Sequence, residues 1–187
     1  MKRLFLIRHA EPEAAWGAAD DPGLSALGRR QAEAAAEALP RALAIWSSPM
    51  RRCRETAAPF EVRLGAVARV EPRVSEVVAP AGVADRGSWL AETFPWRYGA
   101  PGRDWATLEP TLHLWREDVL GAVRAIERDC AVFTHFIAIN AIVAAALQRR
   151  ETIVCQPGHA SITELALEGE TLRVVAHGER MRGDDVR

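Results

Sequence analysis

Leu4, Phe5, Leu6 and Ile7 form an uninterrupted apolar run, bounded by charge before it and by Arg8-His9 directly after it. A run without polar alternation suits a strand covered on both faces, as in a parallel sheet. The carboxyl ends of strands in an open α/β sheet form the binding crevice, so Arg8 and His9 stand where an anionic ligand would bind. Taken alone, the pair reads equally well as the polar end of a strand.

The length of 187 residues favours one domain, or one domain carrying an insertion, and is enough for a self-sufficient core. Lys and Arg number 24 against 25 Asp and Glu, so no global basic field favours nucleic acid or a membrane surface. Cys53, Cys130 and Cys155 are odd in number and lack CxxC spacing, which fits reduced core thiols rather than a disulfide frame or a zinc site. The run before Arg8 is too short for a signal-peptide core, and Phe136 to Leu147 is too short to span a bilayer. A soluble, cytoplasmic protein is the expectation.

Pro12 to Gly23 is loop-like, and Ser25 is placed to cap a helix running to about Leu39. Helical spacing puts Leu27, Ala34, Ala35 and Ala38 on its apolar face. Ala42 to Trp46 reads as a second strand. It stops at Ser47-Ser48-Pro49, with Ser48 as cap and Pro49 at the first position of a helix ending before Pro59. Val67 to Val70 is a third strand, followed by a turn at Pro72 and the run Val74 to Val78. From Pro80 to Pro110, prolines, glycines and tryptophans predict an irregular, cap-like insertion. A helix from Thr111 to Arg128, a strand from Ala131 to Thr134 and a buried helix from Phe136 to Leu147 follow. Ser161 to Leu167 and Leu172 to Ala176 resemble an edge hairpin, and residues 179–187 form a charged, frayed tail. The alternation predicts a three-layer α/β/α sandwich with a mostly parallel central sheet, occupying residues 1–178 as one domain.

Three apolar strands thus stop at anion-binding groups: Arg8 and His9, the arginine-rich helix start after Ser48, and His135. Together on a parallel sheet they imply a cationic crevice fitted to phosphate, for which arginine supplies a planar fork and a helix N-terminus supplies N–H groups.

In these blocks the chain resembles the histidine phosphatase, or phosphoglycerate mutase-like, superfamily. The resemblance rests on Arg8-His9-Ala10-Glu11, on the segment Leu24 to Ala32, on Ser48-Pro49-Met50-Arg51-Arg52-Cys53-Arg54-Glu55-Thr56-Ala57, on Val74-Ser75-Glu76 and on Phe133-Thr134-His135. It implies that His9 is a phosphorylated nucleophile, that Arg8, Arg52 and His135 clamp the phosphoryl oxygens, and that Glu76 is the proton donor. It also implies a small phosphorylated substrate, no cofactor and no metal. The family's usual glycine after Arg-His is Ala10 here, an asparagine farther along that loop is Ala15, and the glycine after the second histidine is Phe136. Phe136 must point away from the phosphate or narrow its pocket.

The leading expectation is a metal-independent phosphatase for a small monoester. Mutase-type phosphoryl transfer and a non-catalytic phosphate-binding module are the alternatives. Arg51 and Arg54 read as surface or structural residues, Asn140 as structural, Glu11 as a motif residue or a purely structural one, and His159 as structural, with bordering the crevice as its other reading. His113 and His177 read as solvated or partner-satisfied. Trp89, Trp96, Trp105 and Trp115 are assigned mainly to a satellite core, with a substrate lid as the other reading. Arg86, Arg97 and Arg103 are either solvated or a contact for a second anionic group.

Overall fold

The structure, a computed structural model, describes residues 1–14, 21–97, 100 and 102–181. Ala15 and the tail beyond Met181 lie outside them. Six strands form one sheet in the order β3-β2-β4-β1-β5-β6: β1 Lys2–Arg8, β2 Ala44–Ser47, β3 Arg69–Val70, β4 Cys130–Thr134, β5 Ile162–Glu168 and β6 Thr171–Ala176. The β3-β2, β2-β4 and β4-β1 pairings are parallel, and the β1-β5 and β5-β6 pairings are antiparallel.

Strand alternation sends the apolar runs both ways, as a strand covered on both faces requires. Phe5 and Ile7 of β1, with Ala131 and Phe133 of β4, pack against helices α1 (Ala26–Ala38) and α2 (Arg51–Leu64). Leu4, Leu6, Cys130 and Val132 pack the other way, against α4 (Pro110–Arg124) and α5 (Phe136–Ala146). The result is the expected mixed α/β architecture, with helices on both sides of a mostly parallel sheet.

Local details depart from the sequence reading. Ser25 caps α1, its Oγ accepting the Gly28 amide, but the buried face is Gly28, Ala32, Ala35 and Ala36 rather than the one through Leu27, Ala34 and Ala38. The helix is turned because Gly28 lies directly on the loop after β1: a Cβ there would sit 2.1 Å from the Glu11 carbonyl oxygen. The second helix begins at Arg51 with Met50 as N-cap, not at Ser48-Pro49. The Asp21 carboxylate accepts the Arg51 amide at 2.8 Å, so the cap comes from another loop.

Nor does Pro59 end α2. The helix continues to Leu64 because Phe60 is fully buried against the sheet and Arg63 donates to the Ala36 and Leu39 carbonyls at the end of α1. Those tertiary contacts offset the helical hydrogen bond that proline lacks. Gly65, with φ of +61°, then closes the helix in the left-handed conformation. Helix α4 stops at Arg124 rather than Arg128, and Pro72–Val74 form a 3₁₀ turn.

The segment from 80 to 110 is less irregular than expected. It contains α3 (Arg86–Thr93), capped by the Asp85 carboxylate, and a 3₁₀ turn at Trp105–Thr107. Val77, Leu90, Phe94, Trp105, Leu108 and Leu112 form a third core cluster with Phe136, Ile137, Ala141 and Met181. Trp105 stacks on Trp115 and meets Phe94 edge-on, with centroid distances of 6.3 and 5.8 Å. These rings form the satellite core assigned to them.

Candidate active site

Register builds the site. Arg8 of β1 is paired with Thr134 of β4, and Ser47 of β2 with Phe133, so the three parallel strands end level with one another. The His9 amide donates to the Thr134 carbonyl at 2.9 Å and the Ser48 amide to the Phe133 carbonyl at 3.0 Å. His9, Ser48 and His135 therefore emerge side by side at one sheet edge. The His9 and His135 rings meet edge-on with centroids 5.3 Å apart.

His9 is almost completely buried, and its Nδ1 lies 3.0 Å from the Ala10 carbonyl oxygen. A carbonyl only accepts, so Nδ1 carries the proton and the lone pair is on Nε2. Burial, followed by the positive charge of Arg52, the neighbouring His135 ring and the charge of Arg8, holds the pKa of His9 well below its ordinary value. The same causes, burial and then Arg52 and Arg8, depress His135. Both imidazoles are neutral bases near neutral pH.

Arg52 lies on the buried face of α2, its Nη2 3.2 Å from His135 Nδ1 and its Nη1 3.9 Å from the Asp21 carboxylate. Arginine only donates, so His135 accepts at Nδ1 and donates from Nε2 to Ser48 Oγ at 2.8 Å. Arg51 and Arg54 are exposed, and Arg51 is engaged by Glu55 at 2.7 Å. The fully buried Cys53 thiol lies 3.3 Å from His135 Nε2, and burial raises its pKa to about 12.

The Arg8 side chain is fully buried, donating from Nη1 to the Pro157 carbonyl at 2.9 Å. Burial is the main reason its pKa falls to about 10, with Glu76 opposing the fall. Phe136 packs into the third cluster with its ring centroid 5.1 Å from the Arg8 guanidinium carbon. It is a shelf for that cation.

Glu76 is half-buried and caps α5 from outside, its Oε2 accepting the Ile137 amide at 3.1 Å. Burial raises its pKa above the ordinary carboxyl value, against two backbone hydrogen bonds and the attraction of Arg52 and Arg8. The carboxyl thus shares one electrostatic environment with both arginines. All five residues singled out from the sequence, Arg8, His9, Arg52, Glu76 and His135, are brought to this edge of the sheet.

Sequence reasoning did not assign Thr56. It is fully buried on α2, and its Oγ1 accepts the Ala10 amide at 2.9 Å while donating to the Arg52 carbonyl at 2.6 Å. Its only signal was membership of the α2 motif block. His159 borders the crevice, the second of the two readings its sequence position allows: its Nε2 is 3.1 Å from Arg8 Nη2 and its ring centroid 5.9 Å from that of His9. Asn140 is structural as expected: its carboxamide oxygen accepts the Val154 and Cys155 amides at 2.8 and 2.9 Å. Glu11 accepts from Ser25 Oγ at 2.9 Å and ties the loop to α1. Arg86, Arg97 and Arg103 are exposed, Arg97 lining a cleft of about 600 Å³ that Pro157 also lines.

Residues 4–180 match the model of the histidine phosphatase superfamily, branch 1. The chain belongs to that superfamily. Among solved members of the fold, a mycobacterial glucosyl-3-phosphoglycerate phosphatase in complex with inorganic phosphate is 26% identical, with a TM-score of 0.71 over 96% of this chain and 98% of that one. A structure described as mycobacterial hydrolase 1 is also 26% identical, with a TM-score of 0.72 over 96% of this chain and 99% of that one. A protein from Thermus thermophilus, 22% identical, shares the fold with a TM-score of 0.61 over 94% of this chain and 98% of that one. No curated protein sequence matches the chain significantly. Within this histidine phosphatase fold, no helix of the described residues is long and apolar enough to cross a membrane. No group of three or more His, Cys, Asp or Glu among them is arranged to hold a metal ion.

Proposed function

We propose that this protein is a phosphatase that hydrolyses a small phosphate monoester through a phosphohistidine on His9, without a metal. The observation that carries the reading is the state of His9. It is a buried imidazole with Nδ1–H held by a backbone carbonyl, its own protonation suppressed first by burial and then by the arginines that would hold a phosphoryl group.

In the first step the Nε2 lone pair attacks phosphorus and the P–O bond to the leaving group breaks. Arg8, Arg52 and His135 hold the non-bridging oxygens, the His135 Nε2–H exchanging Ser48 Oγ for a phosphoryl oxygen, and neutralise charge in a reaction that needs positioning above all. Glu76, whose burial favours the protonated carboxyl, gives its proton to the departing alkoxide. Water then attacks the phosphohistidine, Glu76 takes the water proton, and the N–P electron pair returns to Nε2. The small-monoester substrate class is supported by the family and by the phosphatase named among the similar structures.

Release of phosphate from p-nitrophenyl phosphate in the presence of a chelator tests this reading. His9→Ala is expected to abolish release. Equal activity in wild type and His9→Ala would overturn it. A panel of phosphorylated metabolites that includes phosphoglycerate derivatives would then locate the substrate.

A further inference from the structure

His159 touches the site without belonging to the five residues that define it. We propose that His159 is a positioning residue that orients Arg8 towards the phosphoryl group, an inference that rests on the phosphatase reading above. The Arg8 Nη2 to His159 Nε2 separation is 3.1 Å, and because arginine has only donors, His159 accepts at Nε2 as a neutral ring protonated on Nδ1. The arrangement repeats on the other side of His9, where Arg52 Nη2 lies 3.2 Å from His135 Nδ1. The two imidazoles stand with their centroids 5.3 Å (His135) and 5.9 Å (His159) from that of His9. His9 is therefore flanked by two arginine–imidazole pairs.

A neutral acceptor is the right chemistry for this task. A carboxylate in its place would fix the guanidinium but also neutralise it and compete with the phosphate for it. An imidazole fixes one N–H and leaves the positive charge for the ligand.

The loop that carries His159 is built around Arg8. Pro157 accepts from Arg8 Nη1 at 2.9 Å, and the Ala160 amide donates to the Arg8 carbonyl at 3.1 Å. Ala160 has φ of +56°, a left-handed conformation that alanine disfavours and that persists where the surroundings enforce it. The turn is closed by the Ser161 amide on the Gly158 carbonyl at 3.2 Å and anchored by the Gly158 amide on the Glu179 carbonyl at 2.7 Å. A disfavoured backbone next to His159, pinned to the strand end that bears Arg8, fixes where the ring points.

The test compares His159→Leu, which keeps bulk and removes the acceptor, with His159→Gln, which restores an acceptor, after circular dichroism confirms that each is folded. Loss of Arg8 orientation is expected to lower kcat/KM for p-nitrophenyl phosphate by about tenfold to a hundredfold in His159→Leu, with most of it recovered in His159→Gln. In an Arg8→Ala background, His159→Leu is expected to add less than about a twofold loss, since nothing remains to be positioned. Calorimetric affinity for inorganic phosphate is expected to fall in the same order. If His159→Leu does not fold, His159→Ala takes its place.

An undiminished kcat/KM in His159→Leu, equal losses in the Leu and Gln variants, or full additivity with Arg8→Ala would overturn the inference. A wild-type protein that releases no phosphate overturns the phosphatase reading instead. The phosphate affinities then still decide whether His159 acts through Arg8.

Discussion

Replacing Thr56 by valine removes one hydroxyl from a fully buried position while keeping its shape. That hydroxyl accepts the Ala10 amide at 2.9 Å and donates to the Arg52 carbonyl at 2.6 Å. The Arg52 carbonyl keeps its partner within helix α2, so the main damage falls on the Ala10 amide, left buried without an acceptor. Such an orphan costs roughly 1–3 kcal/mol. For a chain of this size that corresponds to a fall in Tm of roughly 2–12 °C.

The same residue borders the chemistry, since the Ala10 carbonyl holds His9 Nδ1 at 3.0 Å. If about 1.4 kcal/mol of the loss appears in the transition state, kcat/KM falls about tenfold. Scanning calorimetry and steady-state kinetics on p-nitrophenyl phosphate measure the two effects. Thr56→Ser is the control: it keeps the hydroxyl, loses a methyl group worth about 0.8 kcal/mol, and should retain wild-type kcat/KM. A Thr56→Val variant as stable and as active as wild type would refute the argument, as would a Ser variant equally damaged in kcat/KM.

Glu76→Gln is expected to lower kcat/KM by about 10²–10⁴ for alkyl phosphates and much less for p-nitrophenyl phosphate, whose leaving group needs little protonation; equal losses on both would reassign Glu76 to binding. The pH profile should be a bell. Its acid limb falls well below 6.5, where His9 becomes protonated, and its alkaline limb falls above 4.5, where Glu76 loses its proton. In Glu76→Gln the alkaline limb should vanish for alkyl phosphates, and its persistence would point to another acid. Gly28→Ala must move α1 from the Glu11 carbonyl, since its Cβ would lie 2.1 Å from that oxygen, and a cost of about 1–3 kcal/mol in urea unfolding is expected.

The strands and the groups at their ends were legible because each follows from a local rule. Leu4 to Ile7 and Ala131 to Thr134 are short apolar runs, and a run ending in Arg-His or Thr-His marks the edge where a crevice forms. Helix ends were less legible. Pro59 reads as a stop, but the burial of Phe60 and the reach of Arg63 to α1 are tertiary, and they outweigh one missing hydrogen bond. The start of α2 differs from the sequence expectation for a similar reason, because the Arg51 amide is satisfied by Asp21 rather than by the preceding serine.

Periodicity does not pick out the buried face of α1, because alanine lies on every side of that helix and leaves little contrast. What selects the face is the contact of Gly28 with the Glu11 backbone, which no hydropathy pattern contains. Within the site, the five charged or imidazole residues announced themselves by type and order. Thr56 did not, and His159 did so only by its place before the hairpin. Their weight comes from what they touch: a buried amide on one side of His9 and the Arg8 guanidinium on the other.

The central claim is that the phosphoryl group passes through His9. Rapid mixing with a ³²P-labelled monoester, followed by denaturing quench at alkaline pH and peptide mapping, tests it most directly. The account predicts an alkali-stable, acid-labile phosphate on the peptide that contains His9, formed faster than turnover and absent from His9→Ala. Label on a different residue, or turnover of the labelled ester with no phosphorylated protein at any time, would contradict it.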